Sequence, residues 1–217
     1  MSTLDVILFV LMLVGAYLLG AVPFALVIGK LFFGVDVRAH GSGNVGTTNA
    51  FRVLGTRAGI AVLACDMLKG YVPALLATLV FGPWPAIFIA AAPVAGHMYS
   101  VFLRGSGGKG VATGSGVVLA LAPKIYFTIL LVWIAMVLVS RMVSLASLTA
   151  TATLVVLVVL TGQPVPYVIA AGVVLVLIVY AHRANIDRML HHREPRVSLP
   201  WERRSGATGD GQGREGG

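Results

Sequence analysis

Charged residues and cysteine are both scarce in this 217-residue sequence. Asp, Glu, Lys and Arg make up only 11% of it, whereas an ordinary soluble domain has about 25%. So few charges cannot cover a water-exposed surface, and 58% of the residues are hydrophobic, with a mean hydropathy of +0.92. A single cysteine, Cys65, excludes an intramolecular disulfide and a multi-thiolate metal site. The composition therefore predicts a protein that lies in a lipid bilayer.

Apolar segments long enough for membrane helices dominate the chain. Roughly 20 apolar residues are needed to cross the hydrocarbon layer. Breaks rich in proline and glycine end several of the segments, because proline lacks a donor and glycine has excess freedom. The predicted spans are residues 4–29, 58–81, 86–103, 111–122, 125–140, 143–161 and 165–181. The predicted fold class is therefore an all-α, polytopic integral membrane protein with seven transmembrane helices, formed by residues 1–193.

The distribution of lysine and arginine predicts the orientation. Of the 16 basic residues, 14 fall in segments on one side, only Lys124 falls on the other, and Lys69 lies within a span. The positive-inside rule places the N-terminus outside and the C-terminus in the cytoplasm. The net charge of +8 therefore reflects membrane topology rather than nucleic-acid binding. Residues 194–217 are rich in Gly, Arg and Glu and are predicted to be a disordered cytoplasmic tail.

The first polar segment, residues 41–49, reads GSGNVGTTN and is followed by Arg52. It contains the spacing G-x-G-x-x-G, but the dinucleotide fingerprint requires a preceding β-strand, and here a membrane span precedes it. Glycines let backbone amides turn toward an anion, and Ser, Thr and Asn side chains add donors. A helix that begins near Thr47 or Thr48 would favour a phosphate further. The segment is a candidate phosphate site, and a flexible loop is the alternative interpretation.

The second polar segment, residues 105–110, places four glycines around Lys109 at the start of a predicted helix. A Walker A motif would need glycine at position 103 and Ser or Thr at position 110, where this sequence has Leu103 and Gly110. The pattern still indicates an anion-binding turn with a mobile cation. A tight turn between two spans would explain the lysine but not the four glycines.

The third polar segment, residues 182–188, reads HRANIDR at the inner end of the last span. His182 and Asn185 are three residues apart, so they share one face of a continuing helix. Histidine offers a nitrogen that titrates near neutral pH, and asparagine offers a neutral donor and acceptor. A basic cap on the last helix explains Arg183 and Arg188 equally well and leaves the roles of the other two residues open.

A few polar residues lie within the spans. Asp66 and Lys69 have an i,i+3 spacing and could neutralise each other, either to fix helix packing or to act in catalysis. His97 is interpreted as a hydrogen-bonded packing residue. Ser144 and Ser147 lie one turn apart, where each could bond a backbone carbonyl or donate to a ligand.

Three anion-binding segments on one side indicate a phosphorylated substrate that arrives from the cytoplasm. The sequence has no Cys/His array or carboxylate cluster typical of a metal site, and no nucleophile elbow. These patterns favour a metal-independent enzyme that handles a phosphorylated lipid precursor. A transporter of a phosphorylated metabolite is the alternative, although transporter sites lie near the bilayer midplane. A non-catalytic scaffold in lipid synthesis is a third hypothesis.

Five stretches of the sequence carry a family resemblance: GSGNVGTTNAFRVLG, DMLKG, GHMYSVFLRGSGGKGVAT, RMVSLAS and HRANIDRML. They resemble, in order and spacing, the motifs of the bacterial acyl-phosphate:glycerol-3-phosphate acyltransferases, the PlsY family. The resemblance implies transfer of an acyl group from acyl phosphate to the 1-hydroxyl of glycerol 3-phosphate, which gives lysophosphatidic acid and phosphate in the first acylation of phospholipid synthesis. It also implies a multi-pass protein of the bacterial inner membrane, an active site on the cytoplasmic side, no cofactor, and an upstream enzyme that makes acyl phosphate as a partner.

The resemblance also implies roles for individual residues. The five positions it implies as catalytic are Ser42, Arg52, Lys109, His182 and Asn185. The first three would hold and polarise two phosphates, and the last two would position glycerol 3-phosphate. The residues that would complete the phosphate pocket are Asn44, Thr48, Asn49, Gly107, Gly108 and Ser144.

One departure from the family and one mechanistic alternative accompany these assignments. The last family motif has a glycine two residues before a glutamate, whereas this sequence has His192 there and keeps Glu194. The turn after Arg188 is therefore in question. Because the motifs offer no buried carboxylate base, a substrate phosphate is the predicted proton acceptor, with His182 as the rival candidate.

Overall fold

A computed structural model describes residues 2–197, and ten α-helices lie in that part of the chain. In chain order they are α1 (Thr3–Ala21), α2 (Phe24–Phe33), α3 (Thr47–Leu54), α4 (Thr56–Val80), α5 (Pro83–Met98), α6 (Val111–Leu121), α7 (Pro123–Ser140), α8 (Val143–Leu160), α9 (Val165–Ala181) and α10 (Arg183–Leu190). Short 3₁₀ turns occupy Val37–Ala39 and Val101–Leu103. No β-strand occurs between residues 2 and 197, which confirms the predicted all-α fold.

The lengths of the helices determine how many can cross a membrane. Five apolar segments in the described residues are long enough, namely α1, α4, α5 with the turn that follows it, α7 and α8. Helix α9 has 17 residues and meets α10 at 59°, so this bent pair counts as a sixth candidate. Helix α6 has only 11 residues. The structure is thus an integral membrane bundle with five or six candidate spans, and the seven-span count and the orientation stay predictions.

The first apolar segment, residues 4–29, is divided rather than continuous. Helix α1 ends at Ala21 and α2 begins at Phe24, with Pro23 between them. Proline has no backbone N–H and its ring clashes with the preceding turn, so it breaks the helix. The residues around it are all apolar, and hydropathy alone therefore missed this break. The proline-containing breaks near residues 82–85, 123–124 and 162–164 do mark helix junctions, as predicted.

Close backbone contacts between glycine and a neighbouring helix bring the central helices together. A Cβ at Gly96 on α5 would lie 2.2 Å from the carbonyl oxygen of Tyr17 on α1. A Cβ at Gly116 on α6 would lie 2.0 Å from the carbonyl oxygen of Met67 on α4. Small residues allow this approach and are typical of helix interfaces in membranes. These contacts fix α5 against α1 and α6 against α4, and so set the positions of the loops at their ends.

One end of the bundle, called the polar end below, collects the loop that precedes α3, the start of α6, the α7–α8 junction and the end of α9. The amide of Val197 donates to the carbonyl oxygen of Arg141 there, at 2.8 Å. Residues 194–197, which the sequence analysis assigned to the tail, therefore belong to the packed part of the chain. Residues 198–217 of the predicted tail lie outside the described residues.

Candidate active site

The second and third polar segments meet at the polar end. Lys109 lies two residues before Val111, the first residue of α6, and Asn185 lies in the first turn of α10. The Lys109 ammonium donates a hydrogen bond to the Asn185 side-chain oxygen, although 76 residues separate them. Asn185 is 7% exposed, so the contact lies inside the protein. Two of the residues predicted as catalytic are thus brought into direct contact.

The loop that contains Gly107 and Gly108 packs against the last turn of α5, where there is no room for side chains at these two positions. The Gly108 amide donates to the carbonyl oxygen of His97 at 3.0 Å. A Cβ at Gly108 would lie 2.0 Å from the His97 ring, and a Cβ at Gly107 would lie 2.1 Å from the His97 carbonyl oxygen. Gly107 and Gly108 therefore let the loop lie directly on α5, and this packing fixes the backbone from which Lys109 extends.

His182 lies at the bend, one residue beyond the end of α9 and 2% exposed. Its Nδ1 is 2.8 Å from the carbonyl oxygen of Ile178, a contact that requires hydrogen on Nδ1. Burial, joined by the positive charge of Lys109, lowers the pKa of His182 to about 4. The ring is therefore neutral near pH 7, and its Nε2 is an acceptor suited to a hydroxyl group.

Glu194 holds this part of the site together. One carboxylate oxygen accepts hydrogen bonds from Asn185 Nδ2 at 2.6 Å and from Ser144 Oγ at 2.7 Å. The other accepts from Arg188 Nε at 2.8 Å. Burial raises the pKa of Glu194, but the hydrogen bonds from Asn185, Ser144 and Arg188 outweigh it, so its pKa lies below the ordinary value. The carboxylate stays ionised and fixes the Asn185 amide against Lys109.

Glu194 was not among the predicted site residues. The sequence retains the glutamate of the last family motif at this position, but the Gly- and Arg-rich composition of the residues around it predicts a disordered tail. The sequence signal that could have found it is that retained motif position. The substitution of His192 does not displace it: His192 adopts a left-handed backbone with φ of 54°, a conformation that glycine adopts without strain.

The first polar loop is shaped by its asparagines. Asn49, 1% exposed, accepts from the Ser42 amide at 2.9 Å and donates to the carbonyl oxygens of Val37 and His40 at 2.9 and 3.2 Å. Asn44 accepts from the Gly46 amide at 2.9 Å. These bonds give Asn49 a role in loop structure, and its role in phosphate binding stays a prediction.

The remaining residues predicted in this region lie at its surface. Ser42 is exposed in the loop, and Thr48 is half-buried in the first turn of α3. Arg52 is exposed in the last turn of α3, and its charge acts on Lys109. These positions give the loop and α3 exposed or half-exposed hydroxyl groups and an exposed cation.

An excess of positive charge defines the electrostatics of the site. Lys109, Arg52 and Arg188 contribute three cations, and Glu194 contributes one anion. Burial, joined by the charges of Arg188 and Arg52 and opposed by that of Glu194, lowers the pKa of Lys109 to about 8. A bound dianion would compensate this charge. The site can therefore bind and polarise phosphorylated groups.

The fold and the site together define an integral membrane enzyme that handles anionic substrates at one end of a helical bundle. Residues 10–192 match the family model described as glycerol-3-phosphate acyltransferase. The chain therefore belongs to the glycerol-3-phosphate acyltransferase family, as the motif resemblance predicted.

Curated relatives and solved structures agree with this assignment. The glycerol-3-phosphate acyltransferase of Geobacillus kaustophilus is 45% identical over 193 residues, which cover 89% of this chain and 98% of that protein. The Aquifex aeolicus enzyme is 49% identical over 183 residues, covering 83% and 95% of the two chains. The crystal structure of PlsY, an integral membrane glycerol 3-phosphate acyltransferase, in its glycerol 3-phosphate form has a TM-score of 0.85 at 46% identity and covers 88% of this chain and 96% of its own. Its lysophosphatidic acid form has a TM-score of 0.83.

Proposed function

We propose that this acyltransferase takes its acyl group from an acyl phosphate and transfers it to the 1-hydroxyl of glycerol 3-phosphate, releasing lysophosphatidic acid and inorganic phosphate. The observation that carries the proposal is the Lys109–Asn185–Glu194 linkage within a site of excess positive charge. Such a site matches a reaction in which both substrates carry phosphate. The polar end is assigned to the cytoplasmic face of the bacterial inner membrane, because 14 of the 16 basic residues lie on that side of the predicted topology.

The reaction requires nucleophilic attack on the acyl carbon, departure of phosphate and transfer of the hydroxyl proton. The 1-hydroxyl oxygen attacks the acyl carbonyl carbon, and the bond from that carbon to the phosphate oxygen breaks. The phosphate leaves with the electron pair, and the hydroxyl proton passes to a phosphate oxygen or to His182 Nε2. Phosphate as the leaving group favours acyl phosphate as donor, because the site already carries cations that stabilise the charge it develops.

Each side chain has a task in this scheme. Lys109 and Arg52 neutralise the phosphates, and the Ser42 hydroxyl adds a donor from the first loop. His182 and Asn185 orient the glycerol hydroxyls, since the Nε2 acceptor and the fixed amide lie on the same bend. Holding both substrates in reacting position supplies much of the rate enhancement.

The identity of the acyl donor is tested directly with purified protein in liposomes. We expect palmitoyl phosphate with radiolabelled glycerol 3-phosphate to yield lysophosphatidic acid and one equivalent of phosphate. Palmitoyl-CoA and acyl carrier protein thioester, supplied at equal concentration, are expected to yield none. Product from the thioesters but not from the acyl phosphate would contradict the donor assignment. Uptake of unmodified glycerol 3-phosphate into sealed vesicles would instead support a transporter.

The rate should fall at alkaline pH. The pKa of Lys109, about 8, lies below that of an ordinary lysine, so the protonated form is present below this pH and is lost as the pH rises through it. We expect kcat/KM for glycerol 3-phosphate to decline above about pH 8. Lys109→Arg keeps its charge at every accessible pH, so any activity it retains should not show the decline. An unchanged decline in Lys109→Arg would assign the titration to another group.

A further inference from the structure

A buried cluster of titratable side chains lies in the helices next to the site. It consists of Asp66 and Lys69 on α4 and His97 on α5, which are 1%, 2% and 7% exposed. Such residues are costly within a membrane protein and are retained there for a reason. None of the three is accessible to a substrate that binds among the polar-end loops, so their role must be exerted through the residues they contact.

The sequence-predicted pairing of Asp66 and Lys69 is confirmed. Lys69 Nζ lies 2.7 Å from Asp66 Oδ1, although the angles there do not satisfy a hydrogen bond. The same ammonium donates to the carbonyl oxygen of Val22 at 2.9 Å and lies 5.4 Å from the centre of the Phe24 ring. Lys69 thus satisfies a carbonyl that the break between α1 and α2 leaves without its helical partner. Lys69 therefore links the cluster to the break between α1 and α2.

The other contacts of the cluster link it to the first polar segment and to the loop that precedes α6. Thr47, the first residue of α3, donates to Asp66 Oδ2 at 3.4 Å. His97 Nδ1 lies 3.7 Å from Asp66 Oδ1, and the His97 carbonyl oxygen accepts the Gly108 amide at 3.0 Å. Asp66 is therefore in contact with the first loop through Thr47 and, through His97, with the residue that precedes Lys109.

We propose that Asp66, with Lys69 and His97, positions the two anion-binding loops relative to each other, so that Ser42, Arg52 and Lys109 face one substrate. Asp66, Lys69 and His97 are positioning residues, and the proposal rests on the proposed function of the same site. An ion pair kept only for packing could be replaced by apolar residues of similar shape without loss of function. A positioning pair could not, because a displacement of the loops by about 1 Å can cost on the order of 10²-fold in rate.

Thr47 offers the sharpest test because its substitution leaves the ion pair intact. We expect Thr47→Val to lower kcat/KM between about 10- and 100-fold. Thr47→Ser keeps the hydroxyl and should retain most of the wild-type rate. Thr153→Val is the matched control, since the Thr153 hydroxyl donates to the carbonyl oxygen of Thr149 on its own helix. Wild-type kcat/KM in Thr47→Val would overturn the proposal.

Amide hydrogen exchange of the ligand-free protein separates positioning from direct phosphate contact. If Thr47 acts through Asp66, Thr47→Val should raise exchange in residues 41–49 by about tenfold without substrate, because the loop loses a bond to a charged group. A residue that only touches phosphate would leave this exchange unchanged, and that result would overturn the proposal even if activity fell. Because hydrogen exchange is measured without a reaction, it tests the positioning role even if the proposed acyl donor is wrong.

The ion pair is tested by Asp66→Leu with Lys69→Met, which removes both charges and keeps similar shapes. We expect a monodisperse protein with strongly reduced kcat, in which adding Thr47→Val causes no further loss. Wild-type kcat in this double variant, or a full additional loss from Thr47→Val, would overturn the proposal. If the double variant does not fold, the exchange result with Thr47→Val decides alone.

Discussion

Lys109→Ala should lower kcat/KM by about 10³-fold, the largest effect of any single substitution in this protein. The ammonium is the most buried cation of the site, and it is held by Asn185 at the point where the two polar segments meet. A fixed charge in a poorly hydrated site stabilises developing negative charge far more than it would in water. The loss should appear in kcat as well as in KM, because the charge on the leaving phosphate grows toward the transition state.

Two further variants make this result interpretable. Lys109→Arg retains the charge but cannot keep the same single-point contact with Asn185, so we expect partial activity. Lys124→Ala removes an exposed lysine from the opposite side of the predicted topology and should be indistinguishable from wild type. The measurement is initial-rate kinetics with acyl phosphate and glycerol 3-phosphate, alongside the melting temperature. A monodisperse Lys109→Ala protein with a tenth or more of the wild-type rate would refute this role.

The sequence alone predicted the general arrangement of the site. The apolar segments alternate with short loops, so loops on the same side of the membrane were expected to meet, and Lys109 and Asn185 do meet. The i,i+3 spacing of Asp66 and Lys69 likewise predicted their ion pair, because that interaction depends only on helix geometry.

Features that depend on tertiary packing could not be predicted in this way. Gly107 and Gly108 were interpreted as phosphate-binding. Their lack of side chains is also required by packing, because a Cβ at either position would collide with the ring or backbone of His97 on another helix. Asn49 looked like a ligand because nothing local showed the carbonyl groups that occupy it. The break at Pro23 was hidden by apolar neighbours. The glycine contacts join different helices, and the Asn49 bonds reach back 7 to 12 residues to backbone groups, so local composition carries no information about either.

Glu194→Gln should reduce kcat/KM by about 10²-fold although Glu194 need not touch either substrate. Glutamine keeps the shape but loses the charge that holds Arg188, and its amide NH₂ can accept nothing from that guanidinium. The Asn185 amide, fixed by this carboxylate at 2.6 Å, would then lose its orientation against Lys109. We expect a raised KM for glycerol 3-phosphate together with a lowered kcat, and a greater loss in Glu194→Ala, which removes all three hydrogen bonds.

The pH profile of Glu194→Gln distinguishes this electrostatic role from a simple loss of packing. The negative charge of Glu194 raises the pKa of Lys109, so removing it must lower that pKa below about 8 and move the alkaline decline to lower pH. Asp187→Asn, which neutralises an exposed carboxylate on α10, the helix that carries Asn185, is the control and should move neither the rate nor the profile. A reduced rate with an unshifted profile would mean that Glu194 acts through packing alone. An unchanged rate would remove it from the site, because the carboxylate that orders Asn185 would then be dispensable for catalysis.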